Sequence, residues 1–181
     1  KKDRVAIVLP NGPAMASAFV TIAQCATTAP LNPNYREDEF SFYLDDLKAK
    51  AIVVNKDYDG PASAAAERLD IKIMRLLESD RIAGLFSLVG DENEELLYDE
   101  EVSENDVALI LHTSGTTSRP KIVPLLQLNI AESASNIAQS LSLSSSDRCL
   151  NVMPLFHIHG LIAAVSASLF VGASIWCSSG F

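Results

Sequence analysis

The chain has 181 residues, 48% of them hydrophobic and 20% charged, with a formal net charge of -9. That composition belongs to a globular α/β, α or β domain with a sizeable core and excludes a disordered chain. No basic stripe runs through it, which excludes a nucleic-acid groove, and no apolar run reaches the roughly 18 residues of a bilayer span.

The charge is concentrated. "DENEELLYDEEVSEND", residues 91–106, carries nine acids and no base, so the remainder of the chain is neutral. We read it as an exposed acidic linker between a first α/β segment, 1–90, and a second, 107–181.

In chain order, Val5–Leu9 reads as a buried strand closed by Pro10, Asn11 and Gly12. Residues 13–28 are alanine-rich and predict one helix, broken by "PLNPNY". Phe40, Tyr43, Leu44 and Leu47 recur at helical spacing and define one face. "AIVV" at 51–54 is a strand, 61–69 a short helix and "IKIMRLL" a further strand. Past the acidic stretch, Val107–Leu111 and Ile122–Leu126 are strands. Ile130, Ala134, Ile137, Ala138 and Leu141 mark a helix face. "CLNVMP" is a strand, 158–171 an apolar helix and "ASIWC" a last strand.

Strands alternating with helices predict an α/β fold with layered, largely parallel sheets flanked by helices. Continuous apolar runs, rather than alternating ones, fit strands covered on both faces. Cys25, Cys149 and Cys177 are scattered and without metal-ligand spacing, and they read as buried thiols in a reducing compartment. The chain opens and closes on strand patterns, which suggests an internal piece of a longer protein.

The chemistry concentrates in "LHTSGTTSRPKIVPL", residues 111–125. Thr113, Ser114, Thr116, Thr117 and Ser118 crowd five hydroxyls around Gly115, and Lys121 follows. Phosphate oxygens only accept hydrogen bonds, so a polyphosphate loop must supply N–H groups, hydroxyls and cations. Gly115 permits close backbone approach. A P-loop is excluded, because that motif needs a second glycine and opens a helix, whereas a strand follows Lys121. From composition alone, a polar hairpin without a ligand is an equal reading.

"MPLFHIHG", 153–160, holds the second candidate cluster. His157 and His159 stand two apart where a strand gives way to a helix, followed by Gly160. Spacing alone does not distinguish a site from one packed and one solvated histidine, and no metal-ligand set accompanies them. His112, on the strand before the loop, reads as structural.

"TSGTTSRPK" resembles the signature loop of the adenylate-forming superfamily, the AMP-dependent synthetases and ligases that include the acyl-CoA synthetases. Its usual form is S/T-S-G-S/T-T-G-x-P-K. Here Ser118 replaces the usual glycine, and Ile122 the glycine that often follows the lysine. "SRPK", with "VPL", "QLN" and "PLFHIHGL", is similar to the oxalate–CoA ligase and 4-coumarate–CoA ligase-like branch. "VAIVLPNG" and "APLNPNYREDEFSFYL" fall in family order, so the resemblance covers nearly the whole chain.

The resemblance implies an ATP-dependent carboxylate–CoA ligase using ATP, Mg²⁺ on the nucleotide and CoA. It implies that Thr113, Ser114, Gly115, Thr116, Thr117, Ser118 and Lys121 hold ATP phosphates. It implies that His157 and Lys121 are catalytic, His157 by stabilising charge at the reacting carboxylate, and that His157, His159 and Gly160 line an acyl pocket suited to a small or polar acid. The family's adenine, ribose and carboxy-terminal-domain contacts are not in these residues. The chain is therefore expected to be part of the large amino-terminal domain, inactive alone and prone to self-association. A cytoplasmic parent is expected, or a peroxisomal one if the source is eukaryotic. A ligase that loads a carrier protein, a non-catalytic nucleotide-binding module and a purely structural domain remain as alternatives.

Overall fold

A computed structural model describes residues 3–90, 102–113 and 120–180. In chain order the elements are β1 (Arg4–Val8), α1 (Pro13–Ile22), β2 (Thr27–Pro30), α2 (Glu37–Leu47), β3 (Ala51–Asn55) and α3 (Pro61–Arg68). Then come β4 (Lys72–Glu78), β5 (Phe86–Val89), β6 (Val107–Thr113), β7 (Lys121–Leu126), α4 (Gln127–Ser140) and β8 (Arg148–Asn151). A π-helical stretch, His159–Ser166, runs into α5 (Ala167–Phe170), and β9 (Ser174–Cys177) follows.

Seven strands form one sheet in the order β5-β4-β3-β1-β2-β6-β7. Its five central strands are parallel, and the edge strands β5 and β7 run antiparallel to β4 and β6. β8 and β9 pair in parallel as a separate two-stranded sheet. The α/β fold with a largely parallel sheet is thus as the sequence indicated.

The two-residue period of a strand divides the core. Ile7 of β1, and Leu9 just beyond it, face a cluster with Met15 and Phe19 of α1, Leu155, and Leu161 and Val165 of the π-helical stretch. Ala6 and Val8 face the opposite way, toward Phe40, Leu44 and Leu47 of α2 and Ala62, Ala65 and Ala66 of α3. β3 alternates likewise, with Val53 in the first cluster and Ile52 and Val54 in the second. Both faces are covered, which is why these strands read as unbroken apolar runs.

Helix starts follow their local chemistry. α1 and α3 each begin with a proline just inside the first turn, after Gly12 and Gly60. α2 carries Glu37, Asp38 and Glu39 in its first turn, where the helix dipole favours acids, and Glu39 accepts the Arg36 backbone N–H at 2.9 Å.

Three expectations need correction. The predicted helix over 13–28 ends at Ile22, and Thr27–Pro30 is instead the buried strand β2 between β1 and β6. Its hydroxyls are satisfied across the sheet, Thr27 Oγ1 donating to the Val107 carbonyl and Thr28 Oγ1 to that of Ala108, both at 2.7 Å. Strand pairing overrode the alanine-rich helix preference. β5, absent from the sequence reading, covers the β4 edge with the alternation Phe86 and Leu88 half-buried, Ser87 and Val89 exposed. The cysteines are free but not uniformly buried: Cys25 is exposed and Cys149 and Cys177 are half-buried. Burial, then the neighbouring Cys149, pushes the Cys177 thiol up.

Candidate functional site

The parallel strands set the site's position, because open α/β sheets bind ligands beyond the carboxyl ends of their strands. Thr113 is the last residue of β6 and Lys121 the first of β7, and the two are directly paired across the antiparallel ladder. Both are exposed. The two residues thus meet at the carboxyl end of β6. Ser114, Gly115, Thr116, Thr117 and Ser118 lie outside the described residues, as do residues 91–101 of the acidic stretch. Among the described residues Lys121 has no ion-pair partner.

Immediately before the loop, His112 is locked in place. Its side chain is 6% exposed, and Nε2 lies 3.1 Å from Asp46 Oδ2 on α2. Its ring meets Tyr43 edge-on at 4.7 Å, and Tyr43 stacks on Tyr35 at 4.8 Å. Burial holds the imidazole below its ordinary value of 6.5, outweighing the upward pull of Asp46. This is the structural role that the sequence suggested.

The second cluster hangs from β8. Asn151 closes a turn on itself, accepting the Met153 N–H and donating to the Met153 carbonyl, each at 3.1 Å. Met153–Leu155 is then held from a distant part of the chain. Asn11, just beyond β1, accepts the Leu155 N–H at 2.8 Å and donates to the Met153 carbonyl at 3.1 Å. His157 donates its backbone N–H to the Pro154 carbonyl at 3.3 Å, and its ring lies 4.7 Å from that of Phe156. His157 and His159 are both exposed.

Gly160 is buried and seated against that turn. A Cβ there would stand 2.5 Å from the Pro154 carbonyl oxygen and 3.2 Å from that of Met153. The absent side chain gives way to backbone.

No hydrogen bond or ion pair among the described residues joins His157, His159 or Gly160 to Thr113 or Lys121. Asn11, beyond the carboxyl end of β1, grips the histidine segment, and β1 is separated from β6 by β2 alone. The sequence reading took Asn11 as turn punctuation. Only "PNG" after a strand marked it, and its partners lie more than 140 residues away.

Five central parallel strands, edged by two antiparallel ones and flanked by helices, define an open-sheet α/β protein. Residues 1–181 match the AMP-binding enzyme family throughout, and the chain belongs to that family.

The chain is 41% identical over 176 residues to an oxalate–CoA ligase of Arabidopsis thaliana, covering 96% of this chain and 34% of that protein. It is 39% identical over 205 residues to an oxalate–CoA ligase of Saccharomyces cerevisiae, covering 100% and 38% respectively. Among solved structures, ATP-bound MatB from Rhodopseudomonas palustris superposes with a TM-score of 0.79 at 23% identity, covering 99% of this chain and 36% of that one. That likeness establishes the fold. The chain thus spans about a third of the length of the curated relatives it matches. Among the described residues no helix is long and apolar enough to cross a membrane.

Proposed function

We propose that the whole protein is an ATP-dependent carboxylate–CoA ligase. A carboxylate oxygen attacks the α-phosphorus of ATP, forming an acyl adenylate and releasing pyrophosphate. The CoA thiol then attacks the acyl carbon, forming the thioester and releasing AMP. Family membership over residues 1–181 is the observation that carries this reading, supported by the relatives' names as CoA ligases.

Thr113, Ser114, Gly115, Thr116, Thr117 and Ser118, with Lys121, would hold the β- and γ-phosphates of the Mg²⁺-bound nucleotide. The paired ends at Thr113 and Lys121 suit this role, since a loop anchored at both ends loses less entropy on binding. Lys121 would supply a charge that is paired with none of the described residues. His157, exposed beside the Asn11-bound turn, would stabilise the charge that develops as the carboxylate attacks. His159 would face a small, polar acid. The oxalate–CoA ligase names of the relatives favour a short dicarboxylate. Gly160 would line the acyl pocket, and it admits the turn that a Cβ would crowd.

In this reading residues 91–106 link two segments of one amino-terminal domain, and adenine, ribose and CoA contacts come from the rest of the protein. Free cysteines fit a cytoplasmic or peroxisomal setting. Transfer to a carrier-protein thiol is the alternative, because the acceptor is chosen outside these residues. Pyrophosphate exchange by the full-length protein, measured across a panel of carboxylates, tests the first half-reaction. Exchange that depends on a short dicarboxylate is expected, and exchange with no carboxylate in the panel would contradict the reading.

A further inference from the structure

The turn that presents His157 is built around one carbonyl. The Met153 oxygen accepts from Asn151 Nδ2 and from Asn11 Nδ2, both at 3.1 Å, which uses its two lone pairs. The neighbouring Leu155 N–H goes to Asn11 Oδ1 at 2.8 Å. Because one partner of Asn11 can only donate and the other can only accept, the orientation of its amide is fixed by its surroundings. Leu155 buries its side chain, 1% exposed, in the cluster shared with α1. Gly160 closes the turn from the other side, against Pro154.

We propose that Asn11 is a positioning residue for His157: its side-chain amide clamps Met153 and Leu155, and so fixes where the exposed imidazole two residues further on stands. Asn11 touches no reacting atom in this scheme. It acts through the turn, from a separation of 142 and 144 residues, and joins the β1 terminus to the histidine segment. The bearing on catalysis rests on the ligase reading above; the clamp itself does not.

The test uses the full-length protein with Asn11→Ala and Asn11→Asp. Alanine removes both bonds. Aspartate keeps the acceptor for the Leu155 N–H but sets a carboxylate against the Met153 carbonyl. With Asn11→Ala, hydrogen exchange at the Leu155 amide should accelerate about tenfold or more. The His157 ring resonances should shift, while those of His112, held by a separate contact, stay in place. Asn11→Asp should restore Leu155 protection but leave His157 displaced. In carboxylate-dependent pyrophosphate exchange, Asn11→Ala should lower kcat about tenfold or more, with the KM for ATP within about twofold. Unmoved His157 resonances, or His157 and His112 moving together as the whole fold loosens, would overturn the proposal. A fall in kcat matched by an equal rise in the KM for ATP would also overturn it. A wild-type protein without exchange activity would defeat the ligase reading alone, because the amide and ring signals still decide the clamp.

Discussion

His112 and Asp46 meet at 3.1 Å across the junction of β6 and α2, with the imidazole nearly sealed from solvent one residue before Thr113. Burial holds this histidine below its ordinary 6.5, so the folded state favours the neutral ring. The unfolded chain then binds the proton more readily than the folded one. Stability from this group is complete above 6.5 and is lost as the pH falls from there through the lowered folded value. Melting temperature should therefore decline from about pH 6.5 downward, and His112→Phe should flatten that limb. A melting temperature that held steady or rose over this range in the unsubstituted chain would contradict the argument.

Gly160→Ala should destabilise the protein. In a helix interior alanine ordinarily gains up to about 1 kcal/mol over glycine. Here its Cβ would lie 2.5 Å from a backbone oxygen that cannot rotate away. The overpacking cost of about 1–3 kcal/mol should win. Urea unfolding is the measurement, and a midpoint above that of the unsubstituted chain would refute the close approach.

Lys121→Ala in the full-length protein should slow pyrophosphate exchange and leave the melting temperature nearly unchanged. Its charge is exposed and unpaired among the described residues, so folding has little stake in it. A charge-assisted contact to phosphate is worth about 1.5–3 kcal/mol, roughly ten- to a hundredfold in rate or affinity. Unaltered exchange kinetics would remove Lys121 from the phosphate site.

Leu150 and Trp176 are register partners on β8 and β9, and each is 64% exposed. A two-stranded sheet that shows such a pair to water invites association. The 181 residues alone should sediment as species larger than a monomer. Replacing both residues by lysine should shift the distribution toward monomer. A concentration-independent monomer without the substitutions would show that this face is benign.

Local pattern revealed what local physics controls. The apolar run at β3, the helical spacing of Phe40, Leu44 and Leu47, and the strands on either side of the hydroxyl-rich loop were all legible. β2 was not, because Thr27–Pro30 becomes a strand only through β1 and β6, and alanine-rich neighbours pointed to helix. β5 alternates in burial, but its four residues, only Ser87 of them polar, are too short a signal to stand against a loop. Thr113 and Lys121 stood out by their chemistry as candidates, and so did His157 and His159. The reason for Gly160 was not legible, since it depends on a carbonyl across a turn. Asn11 was invisible as a site residue because its two bonds are formed only after the chain has folded over most of its length.

The central claim is that a carboxylate is activated on AMP. The most direct measurement follows an oxygen atom in the full-length protein. The acid, labelled with ¹⁸O in its carboxyl group, is converted with ATP and CoA, and the nucleotide and phosphate products are weighed. Attack of the carboxylate on the α-phosphorus, followed by thiol displacement, leaves one carboxyl oxygen on AMP, so AMP should gain a single ¹⁸O and pyrophosphate none. Label in inorganic phosphate, with ADP as the nucleotide product, would mean activation through an acyl phosphate and would contradict the account.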